Sequence, residues 1–109
     1  MLLSIDIGNT HVVLGLFDGA ALLHHWRIGT HRQDTSDECA ATLRGLFELA
    51  GVDRATVSDA IISCVVPPLL PLFERTCQKL TRAQPLVVGP GIRTGMAIRV
   101  DNPREVGAD

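Results

Sequence analysis

The run Asp6-Ile7-Gly8-Asn9-Thr10 holds the residue types that handle phosphate and a hard cation. Its carboxylate falls near the end of an apolar segment, Leu2 to Ile7, that is broken only at Ser4 and Asp6 itself. A carboxylate there is costly to desolvate unless a cation or hydrogen bonds offset it. Gly8 lets the backbone turn tightly. The N–H groups of Gly8, Asn9 and Thr10, with the Asn9 and Thr10 side chains, would cradle phosphate oxygens. Asp6 would hold Mg²⁺ through water, because that ion prefers oxygen ligands and keeps part of its hydration shell. The same residues also fit an Asx-type turn in a hairpin, with Asp6 satisfied by backbone donors. The run is not a Walker loop: no Gly-Lys-Ser/Thr follows, and the only lysine, Lys79, falls in a helical pattern.

Two later segments have chemistry of their own. Gly89-Pro90-Gly91-Ile92-Arg93-Thr94-Gly95 places three glycines between short strands, which permits close approach to a ligand, and Arg93 could meet a carboxylate. An ordinary solvated turn accounts for the same residues. In Asp101-Asn102-Pro103-Arg104-Glu105-Val106-Gly107-Ala108-Asp109, Asn102 is an N-cap, Pro103 suits the first helical position and Glu105 completes a capping box. Gly107 and Ala108 make a smooth patch on that helix, with Asp109 projecting beside it. Plain helix–helix packing with a surface Asp109 is the alternative. Ser63 and Cys64 show no partners for nucleophilic catalysis. His24, His25 and Trp26 read as strand residues rather than ligands.

The elements that position these residues follow from periodicity. Leu2–Ile7 and Val12–Phe17 are apolar on both alternations, as strands are that need cover on both faces of a sheet. Asp18-Gly19 signals a hairpin. Ala21 to Ile28 alternates and reads as a half-exposed strand near an edge, completing an antiparallel meander. Thr35 and Glu38 form a capping box for a helix carrying Ala40, Leu43, Phe47 and Ala50, stopped at Gly51. Ala60 to Val66 is a buried β-branched strand ended by Pro67-Pro68. Leu69 to Leu80 is a second amphipathic helix with Pro71 in its first turn. Strands over Pro85–Val88 and Met96–Val100 precede a helix opening at Pro103. The fold class is α/β, an antiparallel three-strand meander followed by alternating helices and strands. That last helix has only just begun at Asp109, so the 109 residues are expected to be the N-terminal domain of a longer, two-domain protein.

Composition excludes several classes. A net charge of −2 gives no electrostatic reason to bind nucleic acid or an anionic membrane. The longest apolar stretch, Ala60 to Phe73, is interrupted by Pro67, Pro68 and Pro71 and is too short to span a bilayer. No signal peptide is legible at the N-terminus. Cys39, Cys64 and Cys77 are expected to be reduced, buried thiols of a cytoplasmic protein. They form no zinc spacing with His11, His24, His25 or His31.

Four segments together resemble the type III pantothenate kinases: Asp6-Ile7-Gly8-Asn9-Thr10, Ser63-Cys64-Val65-Val66-Pro67, Gly89-Pro90-Gly91 with Thr94-Gly95, and Asp101-Asn102-Pro103 with Val106-Gly107-Ala108-Asp109. Their order and spacing match along the whole chain. The resemblance implies a ribonuclease-H-like fold of the actin and sugar-kinase ATPase superfamily. It implies ATP-dependent phosphorylation of pantothenate, the first step of coenzyme A synthesis, with Mg²⁺ and a monovalent cation (K⁺ or NH₄⁺) in a homodimer. It assigns ATP and phosphate binding to Asp6, Ile7, Gly8, Asn9, Thr10, His11, Val12 and Val13, with Asp6 near the metal. It assigns the catalytic base to Asp109 and the pantothenate site to Val100, Gly107, Ala108 and Asp109. Val100 stands where the family often has tyrosine, so a hydroxyl contact is lost. Family members are more than twice this length, and the 109-residue chain alone is expected to be inactive. A non-catalytic regulatory relative, or another small-molecule kinase of the superfamily, is the alternative.

Overall fold

The computed structural model describes residues 1–89. The segment from Pro90 to Asp109, which holds the expected strand Met96–Val100, the helix from Pro103 and most of the Gly89–Gly95 loop, lies outside the described residues.

Strands β1 (Leu2–Ile7), β2 (His11–Asp18) and β3 (Ala21–Gly29) form the antiparallel meander. Gly19, at φ 60°, closes the β2–β3 hairpin in the left-handed region that glycine tolerates. A bulge between Leu16 and Phe17 shifts the register, so Leu16 faces His24 while Phe17 faces Leu22. Helix α1 (Ser36–Ala50) starts at a complete capping box: Thr35 Oγ1 accepts from the Glu38 N–H at 3.1 Å, and Glu38 Oε1 accepts from the Thr35 N–H at 3.1 Å. Gly51 ends it at φ 72°. Strand β4 (Asp59–Cys64) follows, then a 3₁₀ turn at Pro67–Leu69, helix α2 (Leu70–Leu80) and strand β5 (Pro85–Val88).

The sheet order is β3-β2-β1-β4-β5, with β4 parallel to both β1 and β5. Central β1 carries Leu3, Ile5 and Ile7 on one face. Beside them are Val12, Leu14 and Leu16 of β2 and Ala60, Ile62 and Cys64 of β4. These side chains form one core with Cys39, Leu43 and Phe47 of α1 and Phe73, Cys77 and Leu80 of α2. Both described helices thus cover the same face. Among the described strands β3 lies at an edge, as expected, and its inward residues are tied to α1 by aromatic contacts. Trp26 stacks on Phe47 at 5.3 Å and on His24 at 5.7 Å. All three cysteines are free and buried. Burial drives the Cys77 thiol up to about 12, with the neighbouring Cys39 and Glu74 adding to the rise. Among the described residues no helix is long and apolar enough to cross a membrane.

Candidate active site

Alternation along β1 separates two jobs. Ile7 points into the core with Leu3 and Ile5, whereas Asp6 lies on the opposite face. Across the sheet Asp6 is flanked by Val13 of β2 and Ser63 of β4. Strands in a sheet run roughly 4.8 Å apart, so this register sets a carboxylate and a serine side by side. Ser63 is a buried polar residue, and Val88 of β5 is its next neighbour. Strands β1, β4 and β5 all end at this edge, the edge of open α/β sheets at which ligands collect.

The backbone between β1 and β2 turns outward here. Gly8 donates its N–H to the His11 carbonyl at 2.9 Å, and the Asn9 and Thr10 side chains are exposed. The Gly8 donor expected to face phosphate is therefore used inside the hairpin. The donors that the turn presents outward come from Asn9 and Thr10. Gly8 turns the backbone without a positive φ: the described glycines with positive φ are Gly19 and Gly51.

The segment after β3 braces this turn from the side. The Thr30 hydroxyl donates to the Gly8 carbonyl at 2.8 Å, and the Thr30 N–H donates to the Thr10 carbonyl at 2.9 Å. The Arg32 guanidinium donates to Asn9 Oδ1 at 3.2 Å. From the other side, the Val65 N–H donates to the Ile7 carbonyl at 3.0 Å and extends the β1–β4 ladder to the end of β1.

Of the eight residues expected at the phosphate site, Asp6, Gly8, Asn9, Thr10, His11 and Val13 lie on the turn or on the face that Asp6 shares. Ile7 and Val12 are core side chains that hold the hairpin in place. Val100, Gly107, Ala108 and Asp109 lie outside the described residues. Composition alone had assigned no role to Ser63, Thr30 or Arg32. The signal for Ser63 was a single hydroxyl inside a β-branched run, which mirrors Asp6 in its own strand.

Cys64 sits one residue beyond Ser63 and points into the core. Burial pushes its thiol up; a contact with the Val66 backbone opposes this, and the Asp6 charge adds to it. Its Sγ lies 3.0 Å from the Val66 carbonyl and 3.3 Å from the Val66 nitrogen. A thiol held protonated in this way is structural, in line with the absence of triad partners in the sequence.

The donor set fits a hard divalent cation. A carboxylate and a hydroxyl supply oxygen only, and among the described residues no three His, Cys, Asp or Glu side chains converge. An ion at this edge would take its remaining ligands from water and phosphate.

The family model for type III pantothenate kinase matches residues 2–109. The chain belongs to that family. The type III pantothenate kinase of Syntrophobacter fumaroxidans is 56% identical over all 109 residues, which cover 42% of that protein. The enzyme of Pelobacter propionicus is 54% identical over the same residues, covering 43% of its length. The chain thus spans under half the length of the curated relatives it matches. Among solved structures, a ROK hexokinase from Thermus thermophilus superposes with a TM-score of 0.59 at 17% identity, over 81% of this chain and 33% of that one. At that identity the likeness shows the fold alone, and it is the sugar-kinase ATPase fold that the sequence resemblance implied.

Proposed function

We propose that the whole protein transfers the terminal phosphoryl group of ATP to the hydroxyl of pantothenate. The segment described here would supply the phosphate turn and the metal-side carboxylate. The observation that carries this reading is the Asp6 placement: beside Ser63, at the end of three parallel strands, next to an outward turn of amide and hydroxyl donors. Phosphoryl transfer is mainly positioning and charge stabilisation, so such an edge contributes what the reaction needs. Asp6, with Ser63 adjoining, would hold Mg²⁺ through water. The ion would neutralise phosphate charge when bound.

Asp109 is the proposed general base for the pantothenate hydroxyl, with Val100, Gly107 and Ala108 forming the pocket. Support for Asp109, Gly107 and Ala108 is the match of their motif to the family, while Val100 stands where the family often has tyrosine. A second domain, a monovalent cation (K⁺ or NH₄⁺) and a homodimer belong to the same reading. So does a reducing cytoplasm, which suits three buried free thiols. The test is pantothenate-dependent release of ADP by the full-length protein, with Mg²⁺ and K⁺ present. Release that is independent of pantothenate would refute the assignment of the substrate.

A further inference from the structure

The geometry points to Arg32 as a phosphate-binding residue that the turn itself holds in place. This rests on the phosphoryl-transfer reading above and adds the charge that reading lacks. The side-chain donors of Asn9 and Thr10 are neutral, yet the group to be bound is polyanionic. The only lysine, Lys79, is engaged by Asp37 and Ser36 at the start of α1. Among the described residues, Arg32 is a cation with a hydrogen bond to the turn, 3.2 Å long, to Asn9 Oδ1.

Three features fix it there. Thr30, two residues earlier, is tied to Gly8 and Thr10 at 2.8 and 2.9 Å, so the backbone leading to Arg32 is anchored on the turn. The Asp34 N–H donates to the His31 carbonyl at 3.2 Å, folding Arg32 into a tight turn of its own. Asn9 then orients one arm of the guanidinium. A guanidinium has five N–H donors in a planar fork, and one bond to Asn9 leaves the others for phosphate oxygens. Arg32 is exposed, so a ligand at the turn can reach it. The Asn9 amide is thus engaged twice, its oxygen ordering Arg32 and its nitrogen remaining a donor.

The test compares Arg32→Gln and Arg32→Lys in the full-length protein, with Arg44→Gln as a distant charge control. Arg44 pairs with Glu48 on the outer face of α1. Glutamine keeps a polar amide but carries no charge. Calorimetric titration would measure affinity for Mg²⁺–ATP and for adenosine, and thermal unfolding would monitor the fold. Arg32→Gln is expected to weaken ATP binding by about 10- to 100-fold, the range for a lost charge-assisted hydrogen bond. Adenosine affinity and the melting temperature should not move, and Arg32→Lys should recover part of the loss. Wild-type ATP affinity in Arg32→Gln would overturn the proposal. So would a parallel loss of ATP, adenosine and thermal stability, which marks a brace and not a ligand. A wild type that binds ATP but phosphorylates no pantothenate would refute the proposed reaction, while the ATP titrations would still decide the role of Arg32. A wild type that binds no ATP would overturn both.

Discussion

Replacing Thr30 by valine removes one hydroxyl and keeps the shape of a β-branched side chain. That hydroxyl donates to the Gly8 carbonyl at 2.8 Å and is part-buried. The Thr30 N–H bond to Thr10 survives the change, so the backbone path stays the same. A neutral hydrogen bond contributes about 0.5–1.5 kcal/mol net, and a buried carbonyl left unsatisfied costs about 1–3 kcal/mol. The bond is only part-buried, which places the expected loss near the lower end, about 1 kcal/mol. For a chain of 150–250 residues that is a fall of about 2–4 °C in melting temperature. Differential scanning calorimetry of the full-length protein reads it directly. Thr30→Ser keeps the donor and should retain most of the stability, and ATP affinity should fall in Thr30→Val but not in Thr30→Ser. A Thr30→Val protein as stable as wild type, or a serine variant as damaged as the valine one, would show that the hydroxyl does not brace the turn.

Three further outcomes are expected. Asp6→Asn keeps the side-chain shape and removes the charge; loss of an outer-sphere partner typically costs about 10- to 100-fold in metal affinity or activity, so the Mg²⁺ titration of kcat/KM should shift by that order. An unchanged Mg²⁺ dependence would reduce Asp6 to a turn residue. Asp109→Asn in the full-length protein should lower kcat by about 10²- to 10⁴-fold and leave ATP affinity near wild type, as removal of a general base does; normal turnover would take Asp109 out of the mechanism. Because the Cys77 thiol is raised from 9.0 to about 12, the folded state holds a proton that the unfolded chain releases, so Cys77 contributes a fall in stability as pH rises from 9 towards 12. Urea unfolding at pH 8 and pH 10 should show this fall shrinking in Cys77→Ala, and equal pH slopes in the two proteins would contradict it.

Local signals carried most of the fold. The Thr35–Glu38 capping box, the Asp18-Gly19 hairpin, the Gly51 stop and the Pro85–Val88 strand are each written in a few adjacent residues, and each stands where expected. The buried run from Ala60 divides differently: the ladder ends at Cys64, and Pro67–Leu69 winds into a 3₁₀ turn before α2. Proline lacks an N–H and cannot continue a ladder, but it fits the start of a helix, so one dipeptide serves both ends. The site was legible in part. Asp6 stood out as a carboxylate in an apolar strand. Its partner Ser63 is over half the chain away, and only the β1–β4 register joins them. Arg32 carries no local signal in the sequence, because its meaning comes from the Asn9 oxygen that it meets across the turn. The Gly8 N–H bond to the His11 carbonyl was not legible for the same reason: whether a donor is engaged depends on which carbonyl lies opposite.

The mixed sheet also sets an order of assembly. β1 meets β2 across a short turn, and β2 meets β3 the same way, so the meander can zip from local contacts on the microsecond scale of hairpins. The parallel β1–β4 pairing must wait for the whole of α1 to be made and laid across the sheet, and closing so large a loop is slow. Synthesis from the N-terminus reinforces the sequence of events, since Ser63 emerges long after Asp6. The turn at Asn9 and Thr10, with its Thr30 and Arg32 contacts, draws only on residues that precede β4. The edge where Asp6 and Ser63 meet forms only when the long crossover closes.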